Sequence, residues 1–251
     1  MLCAELWEAQ TAGIQEVDSE GGVDLIATFE TNDRRLELLR RFRAFLPEWT
    51  AENDPDWVAE TQKAWPGRCV GERLFVAPPW NRETTPAGRV RIVQNPGLAC
   101  GTGEHPCTQL ALLAIERYLR PGAKLIDIGT GSGILVAAAL RLGAQQAIGI
   151  DVDVAAIQAA RENLRLNSLD TPLAAGCADC IADNWADITV ANINATVLLS
   201  LLDELFRITR KAGRLILTGF PDSELAAFEP AFPRAGILQM AEWRLITASI
   251  T

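Results

Sequence analysis

Several features are missing from this chain, and each absence excludes a class of protein. The 251 residues include one histidine and six cysteines, of which Cys177 and Cys180 form the single C-x-x-C pair. A structural zinc site needs two such pairs or histidine partners, so we expect no metal centre and reduced thiols. No apolar run approaches the roughly 20 residues that span a bilayer. The N-terminus lacks the basic start and apolar core of a signal peptide. The sequence therefore predicts a cytoplasmic protein that does not enter a membrane.

The chain also lacks an excess of positive charge. Its formal net charge is −9, which argues against a dedicated nucleic-acid binder. An acidic surface suits a basic protein partner, although many soluble enzymes are acidic anyway. With 49% hydrophobic residues, the length suffices for one large domain or for a large and a small one.

The centre of the chain contains a strand–turn–helix pattern. An apolar, β-branched run over 125–128, interrupted by the acidic Asp127, meets the turn Gly129-Thr130-Gly131-Ser132-Gly133, and apolar residues resume at Ile134. Glycines let the backbone turn sharply and approach a ligand, and the helix that follows directs its free N–H groups into the same space. The dinucleotide fingerprint needs a glycine at position 134, so Ile134 favours S-adenosylmethionine over NAD. Taken alone, the pattern also fits an ordinary strand–helix turn.

A second apolar run, over 147–150, ends at Asp151, one helix and one strand after the glycine turn. A carboxylate at the tip of the second parallel strand is placed to accept hydrogen bonds from both ribose hydroxyls. The alternative is a helix N-cap, a role open to Asp151 or Asp153. We favour ribose binding by Asp151.

The chain divides into three parts on this reading. Residues 1–50 show the order helix, strand, strand, helix, with a hairpin over 14–29, and are interpreted as a small substrate-recognition domain. Residues 51–70 are a proline-punctuated linker with a short helix over 56–64. Residues 71–251 form the catalytic domain.

Within the catalytic domain, strands alternate with helices, which indicates a parallel sheet covered on both faces. We predict helices over 196–210 and 223–234, and an antiparallel strand pair over 237–249. A polar, glycine-rich segment over 95–108 precedes the strand that leads into the glycine turn. It reads either as an ordinary connection or as a loop that closes over a ligand, and we favour the loop.

These residues together resemble the ribosomal protein L11 methyltransferases, from about Trp57 to the C-terminus. The shared motifs are Asp56-Trp57, the stretch 71–80, Pro96-Gly97-Leu98-Ala99, Gly101-Thr102-Gly103 with His105 and Thr108, the Gly129–Gly133 turn, Gly149-Ile150-Asp151 with Asp153, and Val190-Ala191-Asn192-Ile193. The glycine turn alone indicates only a class I methyltransferase, and the Pro-Gly-Leu-Ala loop makes the resemblance much more specific.

The resemblance implies an α/β fold: a Rossmann-like, mostly parallel sheet with an antiparallel C-terminal strand pair, plus a small N-terminal α+β domain, ferredoxin-like and possibly truncated. It implies that the small domain grips L11 through a flexible link. It also implies a set of residues that contact S-adenosylmethionine. The cofactor-binding candidates are Gly101, Thr102, Thr108, Gly129, Gly131, Asp151 and Asn192, and the catalytic candidates are Asn192 and His105.

The chain departs from the family pattern in three respects. Cys100 stands where phenylalanine is usual, and Glu104 and Cys107 stand where threonine or another residue is usual. The N-terminal unit begins at the family's first helix and lacks its first strand. The departures concern the acceptor side of the site and the recognition of L11.

Methyl transfer from a sulfonium is an in-line displacement with a neutral leaving group. It therefore requires alignment of the amine lone pair with the S–CH₃ bond and exclusion of water, rather than a general acid. Asn192 lacks the Asn-Pro-Pro-aromatic clamp used for planar nitrogens, which favours an aliphatic amine. His105 either relays a proton or fixes the loop, and we favour the loop. We therefore predict methylation of L11 amino groups, at lysine side chains, the N-terminal amine or both, by a monomer without direct nucleic-acid contact. The alternatives are a class I methyltransferase for another protein or a small-molecule amine, and a non-catalytic module that binds S-adenosylmethionine.

Overall fold

The computed structural model describes residues 2–11, 13–19, 22–29, 31, 33–50, 65–95 and 103–250. The chain separates into two compact units, Met1–Trp57 and Val58–Thr251. The predicted linker over 51–70 stays a prediction, because 51–64 lie outside the described residues. The predicted helix over 56–64 lies outside them as well.

The N-terminal unit has the order helix, strand, strand, helix. Its elements are α1 (Leu2–Glu8), β1 (Gly13–Ser19), β2 (Gly22–Thr28) and α2 (Arg35–Arg41), followed by a 3₁₀ turn at Arg43–Phe45. β1 and β2 pair antiparallel, which confirms the predicted hairpin. Because side chains alternate across a strand, Ile14 and Leu25 lie on the inner side of the hairpin. There they pack against buried Leu38 and Phe42 of the helical segment.

The second unit is built on a seven-stranded sheet. Its strands in chain order are β6 (Lys124–Ile128), β7 (Gln146–Asp151), β8 (Leu173–Ala175), β9 (Ala186–Asn192), β10 (Thr209–Pro221), β11 (Gly236–Met240) and β12 (Trp243–Ser249). In the sheet they follow the order β11-β12-β10-β9-β6-β7-β8. Strands β8, β7, β6, β9 and β10 are parallel, while β12 and β11 run antiparallel. The mostly parallel sheet and its antiparallel C-terminal pair are as predicted.

Helices cover both faces of this sheet. They are α3 (Pro106–Tyr118), α4 (Ile134–Arg141), α5 (Val154–Leu166), α6 (Ala195–Ser200) and α7 (Leu202–Ile208). Because neither face meets water, the central strands are mostly apolar, and Leu125, Ile126 and Val190 are fully buried. Burial of each such side chain stabilises the fold by about 1.5–3 kcal/mol.

The strand order places a crevice at the carboxyl end of β6. The chain runs from β6 outward to β7 and β8, and then returns to the other side of β6 as β9. At such a reversal the connections leave in opposite directions, so the carboxyl ends of the strands open a binding crevice between them. The glycine turn follows β6 directly.

A separate three-stranded sheet precedes the large one. It contains β3 (Arg68–Val70), β4 (Leu74–Ala77) and β5 (Val90–Val93), in that order. Asn167, the residue after α5, hydrogen-bonds through its side chain to the backbone of Val93, at the edge of β5 that faces away from β4. Its Oδ1 accepts from Val93 N (2.8 Å), and its Nδ2 donates to Val93 O (2.7 Å). The strand β3 was not predicted.

Two helix predictions were wrong. The helix predicted over 196–210 is split at Leu201 into α6 and α7, and its last two residues belong to β10. Next to the break, Ser200 Oγ donates to Val197 O (2.8 Å), a local bond that competes with the helical ladder. The helix predicted over 223–234 is a 3₁₀ segment, Asp222–Phe228. Pro230 and Pro233 lack the N–H that a helix beyond it would need. Within the described residues, no helix is long and apolar enough to cross a membrane.

Candidate functional site

The glycine turn forms a cradle between β6 and α4. Gly129, Gly131 and Gly133 have φ angles of +74°, +52° and +77°, in the left-handed region that favours glycine. A Cβ on Gly129 would lie 2.4 Å from Ile193 Cγ2. Across the crevice, a Cβ on Gly219 would lie 2.4 Å from Ile193 O. Glycines are therefore required here by packing against Ile193 as well as by the turn, and Ile193 fixes the tip of β9 against the cradle.

Asp151 lies at the tip of β7, beside the cradle. Its Oδ2 accepts from Gly131 N (2.9 Å), and its Oδ1 accepts from Asp153 N (3.0 Å). The helix-capping role belongs to Asp153, whose carboxylate accepts from Ala155 N (2.8 Å). Asp151 is half-buried, so lone pairs on its carboxylate remain available to a ligand at the cradle.

Asp127, the penultimate residue of β6, is a site residue that the sequence prediction missed. Its side chain is fully buried, and its Oδ2 accepts from Thr130 Oγ1 (2.8 Å). Its Oδ1 is buried and has no hydrogen-bond partner among the described residues. Burial raises the pKa of this carboxyl to about 7, and the nearby Asp151 adds to that, although the Thr130 bond opposes it. The available signal was a carboxylate inside an apolar strand run, two positions before the first glycine of the turn, to which the sequence prediction assigned no role.

Asn192 and Thr108 are 84 positions apart in sequence, and the fold brings them together. Asn192 ends β9, and Thr108 lies buried in the first turn of α3. Asn192 Nδ2 donates to Thr108 Oγ1 over 3.3 Å. Because Nδ2 is engaged in this way, the carbonyl oxygen Oδ1 is the atom of Asn192 that can accept from a substrate.

His105 is the N-cap of α3 and is exposed. Its Nδ1 accepts from Cys107 N (3.3 Å), and its ring meets the Trp243 ring edge-on at 4.6 Å. These contacts hold the segment that leads into α3. Gly101 and Thr102 lie outside the described residues, as does Cys100.

The two other departures from the family pattern take different positions. Cys107 is buried, and burial raises the pKa of its thiol. Glu104 pairs with Arg68 at 3.1 Å on the wall of a cleft with about 290 Å³ of space, part of it open to solvent. Gln94, which also lines this cleft, has a buried Oε1 without a partner among the described residues.

An asparagine of α5 joins the chain before the loop to the cradle. Asn163 Oδ1 accepts from Asn95 N, and its Nδ2 donates to Ser132 O, each over 2.9 Å. Asn163 is buried, and its bond to Ser132 is shielded from water, while its bond to Asn95 is partly shielded. The start of the predicted loop is thereby fastened to the glycine turn. Sequence reasoning did not identify this residue.

The cradle fits S-adenosylmethionine. This ligand carries positive charge, which suits the unpartnered buried oxygen of Asp127, and ribose hydroxyls, which suit the carboxylate of Asp151. The described residues contain no group of three or more metal-binding side chains. A mostly parallel sheet with this glycine turn, and a carboxylate on the next strand, defines a class I S-adenosylmethionine-dependent methyltransferase.

Comparison with known proteins identifies the family. Residues 4–249 match the family described as Ribosomal protein L11 methyltransferase (PrmA). A ribosomal protein L11 methyltransferase from Deinococcus radiodurans is 34% identical over 97% of this chain and 92% of its own length. One from Listeria innocua is 34% identical over 76% of this chain, and the match spans only 63% of that relative. The crystal structure of ribosomal protein L11 methylase from Lactobacillus delbrueckii subsp. bulgaricus has a TM-score of 0.69 and 31% identity, and covers 74% of this chain and 98% of that one. The chain belongs to the ribosomal protein L11 methyltransferase family.

Proposed function

We propose that this chain transfers methyl groups from S-adenosylmethionine to amino groups of ribosomal protein L11, at lysine side chains, the N-terminal amine or both. The observation that carries the proposal is the Asn192–Thr108 bond, which holds an amide at the crevice between the cradle and β9. The family match and the two L11 methyltransferases at 34% identity support L11 as the acceptor.

The donor supplies an electrophilic methyl group on a sulfonium whose departure leaves a neutral thioether. The task of the chain is therefore alignment and the exclusion of water. Asp127 would balance the positive charge of the bound cofactor, and the Asp151 carboxylate would accept hydrogen bonds from its ribose hydroxyls. Thr108 holds the Asn192 amide, and the turn residues Gly129 and Gly131 let the backbone come close.

The acceptor amine has to be neutral when it attacks. A lysine amine has an ordinary pKa of ~10.4, and transfer into a partly dry crevice lowers it. Asn192 Oδ1 accepts a hydrogen bond from the amine N–H and so directs the nitrogen lone pair. His105 stabilises the segment before α3 in this scheme, because its Nδ1 is engaged with Cys107 N.

The N-terminal unit is proposed to recognise L11. Its hairpin exposes Ile26, with 52% of its surface accessible, on the side facing away from the unit's own core. Val17, with 36% of its surface accessible, lies on the same face of the hairpin, and neighbouring exposed apolar side chains are suited to contact with another protein. We propose that the chain acts in the cytoplasm and as a monomer.

The test is methylation of purified L11 by the full chain with S-adenosylmethionine, followed by mass spectrometry of the modified amines. Asn192→Ala should lower kcat by about 100-fold, because the amine loses its alignment. Asn194→Ser is the matched control, since Asn194 caps α6 through Val197 N (3.0 Å) and serine also caps helices. Methylation of a different protein or a small amine, but not L11, would overturn the acceptor assignment. Cofactor binding without turnover on any amine would indicate a binding module.

A further inference from the structure

Two exposed cysteines lie together at the edge of the large sheet, outside the proposed cofactor contacts. Cys177 lies two residues beyond the end of β8 and precedes the short 3₁₀ turn Ala178–Cys180, of which Cys180 is the last residue. Both are free thiols. Cys180 Sγ donates to the carbonyl oxygen of Cys177 over 3.4 Å. The exposed Cys180 thiol is therefore turned back toward the backbone of Cys177.

Arg207 stabilises the turn that contains Cys180 by hydrogen bonds to its backbone. Its guanidinium donates to Ala178 O (3.1 Å) and to Ile181 O (2.7 Å). Asp183 and Glu204 hold the same guanidinium in place. The turn is closed by Ile181 N bonding to Ala178 O (3.0 Å), and Ala178 is buried. The backbone between the two cysteines is thus fixed by side-chain and main-chain bonds.

We propose that Cys177 and Cys180 are a redox-active dithiol that closes to an intramolecular disulfide. Cys177 is the extended N-cap of the 3₁₀ turn and Cys180 is its last residue, and the Sγ of Cys180 lies 3.4 Å from the carbonyl oxygen of Cys177. Residues three apart across one turn have Cα atoms less than about 7 Å apart, and a disulfide requires a Cα separation of ~4.4–6.8 Å. Since the turn is already formed, closing the ring costs little further chain entropy.

The oxidant is a disulfide of a small thiol or of another protein. The thiolate of one cysteine attacks that disulfide, forms a mixed disulfide and releases one thiol. The second cysteine then attacks its neighbour's sulfur and releases the second thiol. Two S–H bonds are replaced by one S–S bond, and two electrons pass to the external disulfide, which becomes two thiols.

The dithiol lies close to the proposed cofactor site. Gly176 N donates to Asp151 O over 2.9 Å, and Ala175 is the sheet partner of Asp151. The redox site is therefore joined to the tip of β7 by backbone bonds. Its formation depends on the turn alone and does not require the proposed methylation to be correct.

The first experiment equilibrates the full chain with mixtures of reduced and oxidised glutathione, traps free thiols by alkylation and maps the peptides by mass spectrometry. The expected product is the Cys177–Cys180 disulfide, with glutathione adducts at these positions only in trace amounts. Cys177→Ser and Cys180→Ser should each leave one thiol that forms the glutathione adduct alone. Cys69→Ser removes an isolated exposed cysteine of β3 and should leave the result unchanged. Stable glutathione adducts on both Cys177 and Cys180 in the wild-type chain would overturn the proposal.

The second experiment repeats the equilibration in concentrated urea. If the folded turn brings the thiols together, the effective concentration of one thiol at the other should be at least about tenfold higher in the folded chain. By the thermodynamic cycle, the oxidised chain should then resist unfolding by the same factor. An equal or lower effective concentration in the folded chain shows that the turn opposes the disulfide, and the proposal fails.

Discussion

Replacing Asp127 by asparagine should stabilise the ligand-free chain above neutral pH. The carboxyl is buried, and its pKa is raised from the ordinary 3.8 to about 7. Between pH 3.8 and about pH 7, the Asp127 carboxyl of the native state therefore retains a proton that the unfolded chain has lost. Stability contributed by the protonated carboxyl is fully present below the unfolded pKa and is lost as the pH rises through the folded one. The difference between the two pKa values corresponds to at most about 4 kcal/mol.

The assay is urea denaturation of both chains at pH 5 and pH 8. Over this interval the wild-type chain should lose about 2–3 kcal/mol more unfolding free energy than Asp127→Asn. Asp153→Asn is the control, because Asp153 is an exposed helix cap and asparagine caps equally well. Parallel pH profiles for the wild-type chain and Asp127→Asn would refute the reasoning, since they would show that the buried carboxyl does not titrate in this range.

The other predictions concern the cofactor and the acceptor. Asp151→Ala should weaken S-adenosylmethionine binding by ~1–3 kcal/mol, since the ribose loses a charged acceptor; unchanged affinity in calorimetry would remove Asp151 from the site. Gly131→Ala places a side chain at φ +52° and should lower both stability, by about 1–2 kcal/mol, and cofactor affinity; thermal denaturation and calorimetry measure the two effects. Removal of 1–57 should leave cofactor affinity nearly intact while methylation of L11 falls by orders of magnitude; equal rates would make the N-terminal unit a lid or an appendage. Association of the intact chain with L11 should slow at high salt, because the net charge of −9 steers a basic partner; a salt-independent rate in stopped-flow measurements would exclude steering.

The sequence predicts the parts of this fold in which local pattern and tertiary structure agree. β6 and β7 are largely apolar runs, the first followed by the glycine turn and the second ended by Asp151. The sheet places these two strands side by side, as that pattern requires. The end of α7 at Ile208 is different, because 196–210 has ordinary helical periodicity. The chain leaves the helix before 210 so that Thr209 can pair with Ala186 of β9, a requirement set by a strand distant in sequence.

The same distinction applies to the site. Gly131 and Asp151 follow from spacing along the chain, and the structure joins them by a hydrogen bond. The meeting of Asn192 with Thr108 depends on how β9 and α3 pack, which no local pattern encodes. The unpartnered oxygen of Asp127 likewise becomes visible only when its neighbours have been placed. Asn163 resembles any polar helix residue until its two backbone partners are known.

The Asn167 side chain has a consequence for self-association. β5 is the last strand of its small sheet, and an exposed strand edge offers unpaired N–H and C=O groups to any extended chain nearby. Asn167 supplies one acceptor and one donor to Val93, as the backbone of a further strand would, so the edge at this residue is already occupied. A single buried amide thus ends the sheet without another strand and leaves Val93 with nothing to offer a neighbouring molecule. Asn167→Leu would reopen that position, and its first sign should be aggregation at high protein concentration rather than a loss of methyl transfer.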